Sequence, residues 1–140
     1  MSASRADVLA FLQRHTLAVQ ASVAPGGGAQ AAVVGVVVSD AFEVFFDTLE
    51  SSRKFVNLSQ DPRLALVIGW DQETVQLEGV ADVPPPGAAL EALKARYYAA
   101  FPDGPSRLSW PGLVYVRVTP TWLRYSDFRG AEPAIVELSF

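Results

Sequence analysis

The residues best suited to chemistry lie together in one segment, Asp47 to Arg63, with the sequence DTLESSRKFVNLSQDPR. Lysine occurs only twice in the chain, yet Lys54 directly follows Arg53 where the pattern predicts the first turn of a short helix. Cations at this end of a helix oppose its dipole by about 0.3–1 kcal/mol, and a bound anion reverses that sign. Backbone N–H groups and nearby hydroxyls would join the cations, so the segment predicts a phosphate site. These hydroxyls belong to Thr48, Ser51 and Ser52.

A second interpretation of the same segment needs no ligand. Arg53 and Lys54 could extend into solvent or pair with the acidic side chains of Asp47 and Glu50. Surface ion pairs of this kind are common and contribute little to stability. The residues alone leave both interpretations open.

Composition excludes several other classes of site. The chain has no cysteine, which excludes disulfides, thiolate nucleophiles and Cys-based metal sites. It has one histidine, His15, so a metal site with several His ligands is excluded as well. The net charge of −4 argues against a broad nucleic-acid surface. No pattern identifies a nucleophile or a general base, and the catalytic residues are unknown.

Length and hydropathy predict a single domain that spans the whole chain, residues 1–140. Half of the residues are apolar, which is enough for one sizeable core. The longest early apolar run, Val8 to Leu12, is too short for a signal peptide or a membrane span. We therefore expect a cytoplasmic protein with no membrane contact.

The element pattern predicts a mainly β protein with short helices. Ser4 and Asp7 have capping-box spacing before a helix that should end near His15. A short helix capped by Ser51 and an amphipathic helix over ALEALKARYYAAF are expected further on, with a loop from Pro102 to Pro111. PAIVELSF is an apolar tail. Strands are expected at TLAVQASV, AQAAVVGVVVSD, AFEVFFDT, RLALVIGW, ETVQLEGVADV, LVYVRVTP and Thr121 to Asp127.

Hairpin order among these strands favours a small antiparallel barrel over a Rossmann sheet. The valine-rich run AQAAVVGVVVSD predicts burial on both faces, away from a sheet edge. Together with PAIVELSF, it supplies more apolar surface than one small barrel needs for its interior. Surplus apolar surface is usually buried against a partner, so we expect a homodimer.

Several of these motifs, in their order, resemble the pyridoxamine phosphate oxidase-like flavin-binding split barrels. The resemblance covers about Val8 to Asp127. Its most specific part is FFDTLESSRKFVNLSQDPRLALVI, and QLEGVADV and YVRVTPTWLRYSD are similar to the glycine-containing strand and the final hairpin of the family. The resemblance implies a six-stranded antiparallel split β-barrel that works as a homodimer, with riboflavin phosphate (FMN) in a groove between the subunits.

The resemblance also implies roles for individual residues. Arg53 and Lys54 match the cations on the flavin phosphate, and Thr48 and Ser52 match its hydroxyl partners. Asp47 lies where the strand contacts the ribityl chain or the ring. The strand beside the isoalloxazine comprises Ala32, Val33, Val34 and Gly35, and Thr74 stands where the oxidases place a ring-contacting glutamine.

Two departures separate this chain from the true oxidases. The segment Ala32 to Val37 carries no basic residue, and the chain ends in PAIVELSF where the oxidases have an arginine-containing segment. The cofactor site therefore resembles the family's, whereas the vitamin-substrate site does not. The leading hypothesis is an FMN-dependent oxidoreductase of unknown small-molecule substrate. The alternatives are a non-catalytic flavin-binding or flavin-sensing protein and a deazaflavin-binding relative, while haem is disfavoured because only His15 could ligate it.

Overall fold

The computed structural model describes residues 3–140, and it begins with the predicted capped helix. This helix, α1 (Arg5–Gln13), has Ser4 as its N-cap. The Asp7 N–H donates to Ser4 Oγ at 3.1 Å, and the Ser4 N–H donates to Asp7 Oδ2 at 2.9 Å. The predicted capping box is confirmed.

Eight strands follow, and every pairing among them is antiparallel. Their order in the sheet is β2-β1-β5-β6-β7-β4-β3, with β8 paired to β7. The molecule is thus the expected mainly β half-barrel with short helices, but the count of six strands was wrong. The strands are β1 (Leu17–Val23), β2 (Ala29–Gly35), β3 (Val37–Val38), β4 (Val44–Leu49), β5 (Arg63–Ile68), β6 (Glu73–Asp82), β7 (Leu113–Asp127) and β8 (Ala134–Ser139).

Two further α-helices and one 3₁₀ helix lie between the strands. They are α2 (Arg53–Gln60), α3 (Ala88–Ala100) and a 3₁₀ helix (Gly104–Ser109) within the segment expected to be a loop. None of the helices in residues 3–140 is long and apolar enough to cross a membrane.

Strand β4 is buried on both faces because α3 covers its outer side. Val44, Phe45 and Phe46 are all fully buried. The Phe45 ring lies 5.8 Å from the Tyr97 ring of α3, edge to face, and stacks on Tyr115 at 5.4 Å. This packing fixes the far end of β4, from which the chain enters α2.

The valine-rich segment contradicts the expectation of a strand buried on both faces. It is divided at Val36 into β2 and β3, and β2 lies at an edge of the sheet. Val33 is 61% exposed, whereas its neighbour Val34 is buried. Alternate side chains of a strand point to opposite faces. Only one face of β2 meets the barrel interior, and Val33 on the other face is left exposed.

The end of the chain also differs from the predicted hairpin. Residues 113–127 form one continuous strand through Pro120, and the apolar tail forms β8 beside it. The pairing register with β6 shifts between Glu78 and Gly79, and the extra residue of this β-bulge is Thr121 of β7, next to the proline that has no N–H to donate. A side chain at Gly79 would lie 2.6 Å from the Thr119 carbonyl oxygen, so the bulge requires glycine.

Candidate functional site

The start of α2 gathers the hydroxyl groups expected around an anion. Ser52, not Ser51, is the N-cap, and its Oγ accepts a hydrogen bond from the Phe55 N–H at 3.3 Å. Thr48, at the end of β4, donates from Oγ1 to Ser52 Oγ at 2.9 Å. The tertiary structure thus joins Thr48 and Ser52 at the positive end of the helix dipole.

Arg53 and Lys54 form no ion pair with any residue of the described chain, 3–140. The first turn of α2 contains no acidic residue to offset them. The two cations pair with neither Asp47 nor Glu50, and Asp47 pairs with Arg107 instead. Arg53 is exposed, so extension into solvent, the other half of the interpretation without a ligand, stays open. Two cations at a helix N-terminus therefore have no acidic partner within residues 3–140.

A cavity of about 250 Å³ lies between α2 and the strand pair β1–β2. Arg53, Lys54 and Asn57 line it from the helix, since side chains three and four residues apart share a helix face. The sheet contributes Ala32, which was expected beside the cofactor, and also Gln20, Ser22, Gln30 and Ala31. No acidic side chain lines this cavity among residues 3–140, so it suits an anion.

The floor of the cavity is polar, although it is buried. Asn57 Nδ2 donates to Ser22 Oγ at 3.0 Å and to Gln30 Oε1 at 2.9 Å. Gln20, beside them on β1, is 1% exposed, and its Oε1 has no hydrogen-bond partner in the described chain. Sequence reasoning missed this floor. The signals were a glutamine and a serine at inward positions of an otherwise apolar strand, and an asparagine four residues after Arg53.

A second cavity, of about 230 Å³, flanks the other side of the β4–α2 connection. It is lined by Asp47, Thr48, Ser52, Arg107 and Trp110, with Leu49, Ser51 and Leu113. Thr48 and Ser52 line this second cavity, whereas Arg53 and Lys54 line the first. Trp110 is 51% exposed and offers an aromatic face there.

Asp47 has both carboxylate oxygens engaged within the chain. Tyr97 donates its O–H to Oδ1 at 3.0 Å, and Arg107 donates its Nε–H to Oδ2 at 2.8 Å. Burial, with the charge of Asp47, raises the pKa of Tyr97 to about 12. The hydrogen bond to Asp47 raises the pKa of Arg107 as well. The assignment of Asp47 to a ribityl chain or ring stays a prediction, and in the structure this residue anchors α3 and the 3₁₀ helix to β4.

The other predicted site residues are spread over the half-barrel. Val34 points inward and is buried, Val33 points to the outer face, and Gly35 packs against Phe101. Thr74 lies on β6, separated from β2 by β1 and β5, which corresponds to about 14 Å. Within one chain, Thr74 is therefore not part of the α2 cavity.

A cleft of about 590 Å³ lies between the end of α1 and the β5–β6 turn. His15 lines it, with its ring 4.3 Å from the Phe11 ring and its Nδ1 2.7 Å from the Phe11 carbonyl oxygen. Because a carbonyl oxygen only accepts, Nδ1 carries the proton of the neutral ring and Nε2 is free. Arg14, Trp70 and Arg129 also line this cleft.

The structure is thus an antiparallel half-barrel in which, within residues 3–140, two cations at a helix N-terminus have no acidic partner. The family model for pyridoxamine 5'-phosphate oxidase matches residues 4–127, nearly the whole chain. The chain therefore belongs to the pyridoxamine 5'-phosphate oxidase family, as the sequence resemblance indicated. No curated protein sequence matches it.

Solved structures share the fold. The conserved hypothetical protein Rv2991 from Mycobacterium tuberculosis is 23% identical, with a TM-score of 0.77 over 92% of this chain and 88% of that one. A heme binding protein from Mycobacterium smegmatis is 17% identical, with a TM-score of 0.81 over 99% of this chain and 60% of that one. General Stress Protein 26 from Bacillus anthracis is 18% identical, with a TM-score of 0.67 over 92% and 94%.

Proposed function

We propose that the protein binds FMN, with the flavin phosphate held at the start of α2. The observation that carries this proposal is the free charge of Arg53 and Lys54 beside the linked hydroxyls of Thr48 and Ser52. A phosphate accepts hydrogen bonds from guanidinium, ammonium, hydroxyl and backbone N–H groups together. Family membership supports the same ligand.

The residues present fit this cofactor. The cavity beside the two cations has no acidic lining residue within the described chain, and Gln20 leaves a buried acceptor without a partner. A bound flavin supplies hydride or electron transfer. The chain's own residues bind the phosphate, exclude water through the buried floor and fix the cofactor's orientation. We propose an oxidoreductase of unknown small-molecule substrate, and a non-catalytic flavin-binding protein is the alternative.

The exposed face of β2, β1 and β5 supports the proposed homodimer. Val33, Val19 and Val67 form one row across the three strands. Ala31, Ala21 and Ala65 form the next row. Neither row contains a charged residue, and an apolar sheet face of this kind is usually covered. The α2 cavity lies on the opposite face of β1 and β2, so a second copy on this outer face would reach the cavity around the free edge of β2.

The substitution Val33→Asp tests the dimer. A carboxylate in the centre of the apolar rows should dissociate the two copies without unfolding either, because Val33 is exposed in the single chain. Sedimentation of the wild type and the variant at low concentration measures this. A wild type that sediments as a monomer and still binds FMN fully contradicts the shared groove.

Titration with FMN and riboflavin tests the phosphate site. Riboflavin lacks only the phosphate, so we expect the protein to bind it at least tenfold more weakly than FMN. Fluorescence quenching of the two flavins gives both dissociation constants under one set of conditions. Equal affinities contradict the assignment of Arg53 and Lys54 to a phosphate. Mass analysis of any chromophore that copurifies distinguishes FMN from a deazaflavin.

Haem binding is a second candidate function, because His15 has the geometry of a ligand. Its Nδ1 is fixed by the Phe11 carbonyl oxygen, which leaves Nε2 free in a cleft that also contains two arginines. The fold likeness to the heme binding protein from M. smegmatis favours testing it. A Soret band that is lost in His15→Ala supports this function. A flavin spectrum alone, with no haem uptake on titration, excludes it.

A further inference from the structure

The cleft of about 590 Å³ between the end of α1 and the β5–β6 turn has walls that are packed tightly against each other. Gly69, in the turn, is buried with φ +76°, and a Cβ atom there would lie 2.6 Å from Phe11 Cζ and 3.1 Å from the Glu73 carbonyl oxygen. The Phe128 N–H donates to the Gln72 carbonyl oxygen at 2.8 Å, which ties the turn to the end of β7. These contacts give the cleft a fixed shape.

The lining of this cleft includes one cation and one carboxylate that have no ion-pair partner within residues 3–140. The cation is Arg14, the C-cap of α1, whose Cζ lies 5.6 Å from the centre of the Phe11 ring. The carboxylate is Asp71 in the β5–β6 turn. The other two charges of the lining are paired, since Arg129 Nη1 lies 3.3 Å from Glu73 Oε1. Because Arg14 and Asp71 do not pair with each other, a ligand that carries both charges can lie between them.

A free imidazole nitrogen and an exposed aromatic ring complete the lining. Nδ1 of His15 donates to the Phe11 carbonyl oxygen at 2.7 Å, so Nε2 of the neutral ring accepts hydrogen bonds. Trp70, next to Asp71, is 56% exposed, and Leu17 of β1 is 48% exposed. An exposed tryptophan in a concave site offers its face to a planar apolar group. The cleft therefore has two acceptors, one cation and an aromatic surface.

We propose that this cleft binds a free aromatic α-amino acid in its zwitterionic form. Arg14 holds the carboxylate with its guanidinium fork, and the ligand ammonium group donates to Asp71 and to His15 Nε2. The side-chain ring of the ligand stacks on Trp70. A ligand with one charge only would leave either Arg14 or Asp71 without a partner. Within residues 3–140 this cleft shares no lining residue with the α2 cavity, so the site is separate from the proposed phosphate site.

Four small probes test the two charges and the ring separately. L-phenylalanine has all three groups, N-acetyl-L-phenylalanine lacks the ammonium charge, L-phenylalanine amide lacks the carboxylate, and L-alanine lacks the ring. Titration calorimetry at about pH 8, where an ordinary imidazole is neutral, measures all four. L-phenylalanine should bind at least tenfold more tightly than each of the others, because a site discriminates strongly against a ligand that leaves its polar groups unpaired.

Three variants assign the preferences to residues. Arg14→Gln should lose the preference for phenylalanine over its amide and keep the preference over the N-acetyl compound, and Asp71→Asn should do the reverse. Trp70→Ala should bind phenylalanine no more tightly than alanine. Arg63→Gln is the matched control, since Arg63 is an exposed arginine outside the cleft and its loss should leave every preference intact. All four side chains are exposed, so urea unfolding should show an intact fold in each variant.

The outcomes that overturn the inference are equally specific. Binding of none of the probes, or equal binding of all four, contradicts an amino-acid site. The amide and the N-acetyl compound resemble the first and the last residue of a peptide, so tighter binding of either one would assign the cleft to a chain terminus instead. Preferences that survive in both Arg14→Gln and Asp71→Asn would place the binding elsewhere. FMN and haem are absent from these titrations, so their results do not depend on whether either cofactor binds.

Discussion

Both sides of the β4–α2 connection carry arginine side chains. On one side the arginine has a carboxylate partner, and on the other side the cations have none. On one side, Asp47 and Arg107 are joined at 2.8 Å, and their side chains are 12% and 15% exposed. On the other side, Arg53 and Lys54 have no acidic partner within residues 3–140. Charges that neutralise each other hold elements together, whereas charges left free at a concave surface suit a ligand. The position of a charged residue in the sequence does not tell whether it holds elements together or is available to a ligand. Its ion-pair partners in the folded structure do.

The largest change in stability should come from breaking the Asp47–Arg107 ion pair. Arg107→Ala leaves Asp47 with a partly buried, unpaired carboxylate, which should destabilise the protein by about 3 kcal/mol. Urea unfolding measures the loss. Arg63→Ala is the matched control, since Arg63 pairs with Asp61 but is 81% exposed, and its effect should be within about 0.5 kcal/mol. Equal effects in the two variants would remove the distinction between the buried pair and a surface pair.

Removing one of the unpaired cations should lower the affinity for FMN and leave the stability of the fold unchanged. Arg53→Ala removes a charge-assisted hydrogen bond to the phosphate, worth about 1.5–3 kcal/mol, so FMN affinity should fall about ten- to a hundredfold. Stability of the ligand-free variant should be unchanged or slightly higher, because a cation that opposes the helix dipole is lost. Flavin titration and urea unfolding measure the two effects. A variant that binds FMN normally contradicts the assignment.

The stability of the protein should depend on pH through Tyr97, which donates a hydrogen bond to Asp47 of the Asp47–Arg107 pair. Burial beside Asp47 raises the pKa of Tyr97 to about 12, above its ordinary value of 10.0. The folded state therefore holds this proton more tightly than the unfolded state. Its contribution is complete below pH 10 and is lost as the pH rises from about 10 to 12. Tyr97→Phe should reduce the slope of stability against pH in this window, and an unchanged slope would assign the alkaline loss to other groups.

The smallest effect should come from Thr48, which lies between the two sides. Thr48→Val keeps the shape and removes the hydroxyl that donates to Ser52 Oγ. Loss of one neutral hydrogen bond, about 0.5–1.5 kcal/mol, should weaken FMN binding two- to tenfold. Thr121→Val, which removes a hydroxyl bonded to the Glu78 carbonyl oxygen at 3.1 Å, is a control that should leave FMN binding unchanged. Equal binding by Thr48→Val and the wild type would place Thr48 outside the site.

The sequence by itself determined the three α-helices of residues 3–140 and which polar residues lie at the start of α2. Capping, periodicity and turn residues act within a few positions, so the capping box of Ser4 and Asp7 and the alternation of β7 were readable locally. The short helix α2 was readable too, although its cap is Ser52 and not the predicted Ser51. Arg53 and Lys54 are neighbours in the sequence, so their clustering could be seen there directly. It needed no tertiary information.

The tertiary structure alone decided which polar groups are satisfied. Arg107 and Asp47 are 60 residues apart in the chain, and no local pattern predicts that they meet. The same holds for Asn57 with Ser22, 35 residues apart, and for the passage of β7 through Pro120, which depends on a β-bulge in its pairing with β6. The edge position of β2 likewise follows from its neighbours in the sheet and not from its valines. The hydrogen bonds and the burial of a side chain depend on the segments that pack against it. Those segments are distant in the sequence, so local patterns do not predict them.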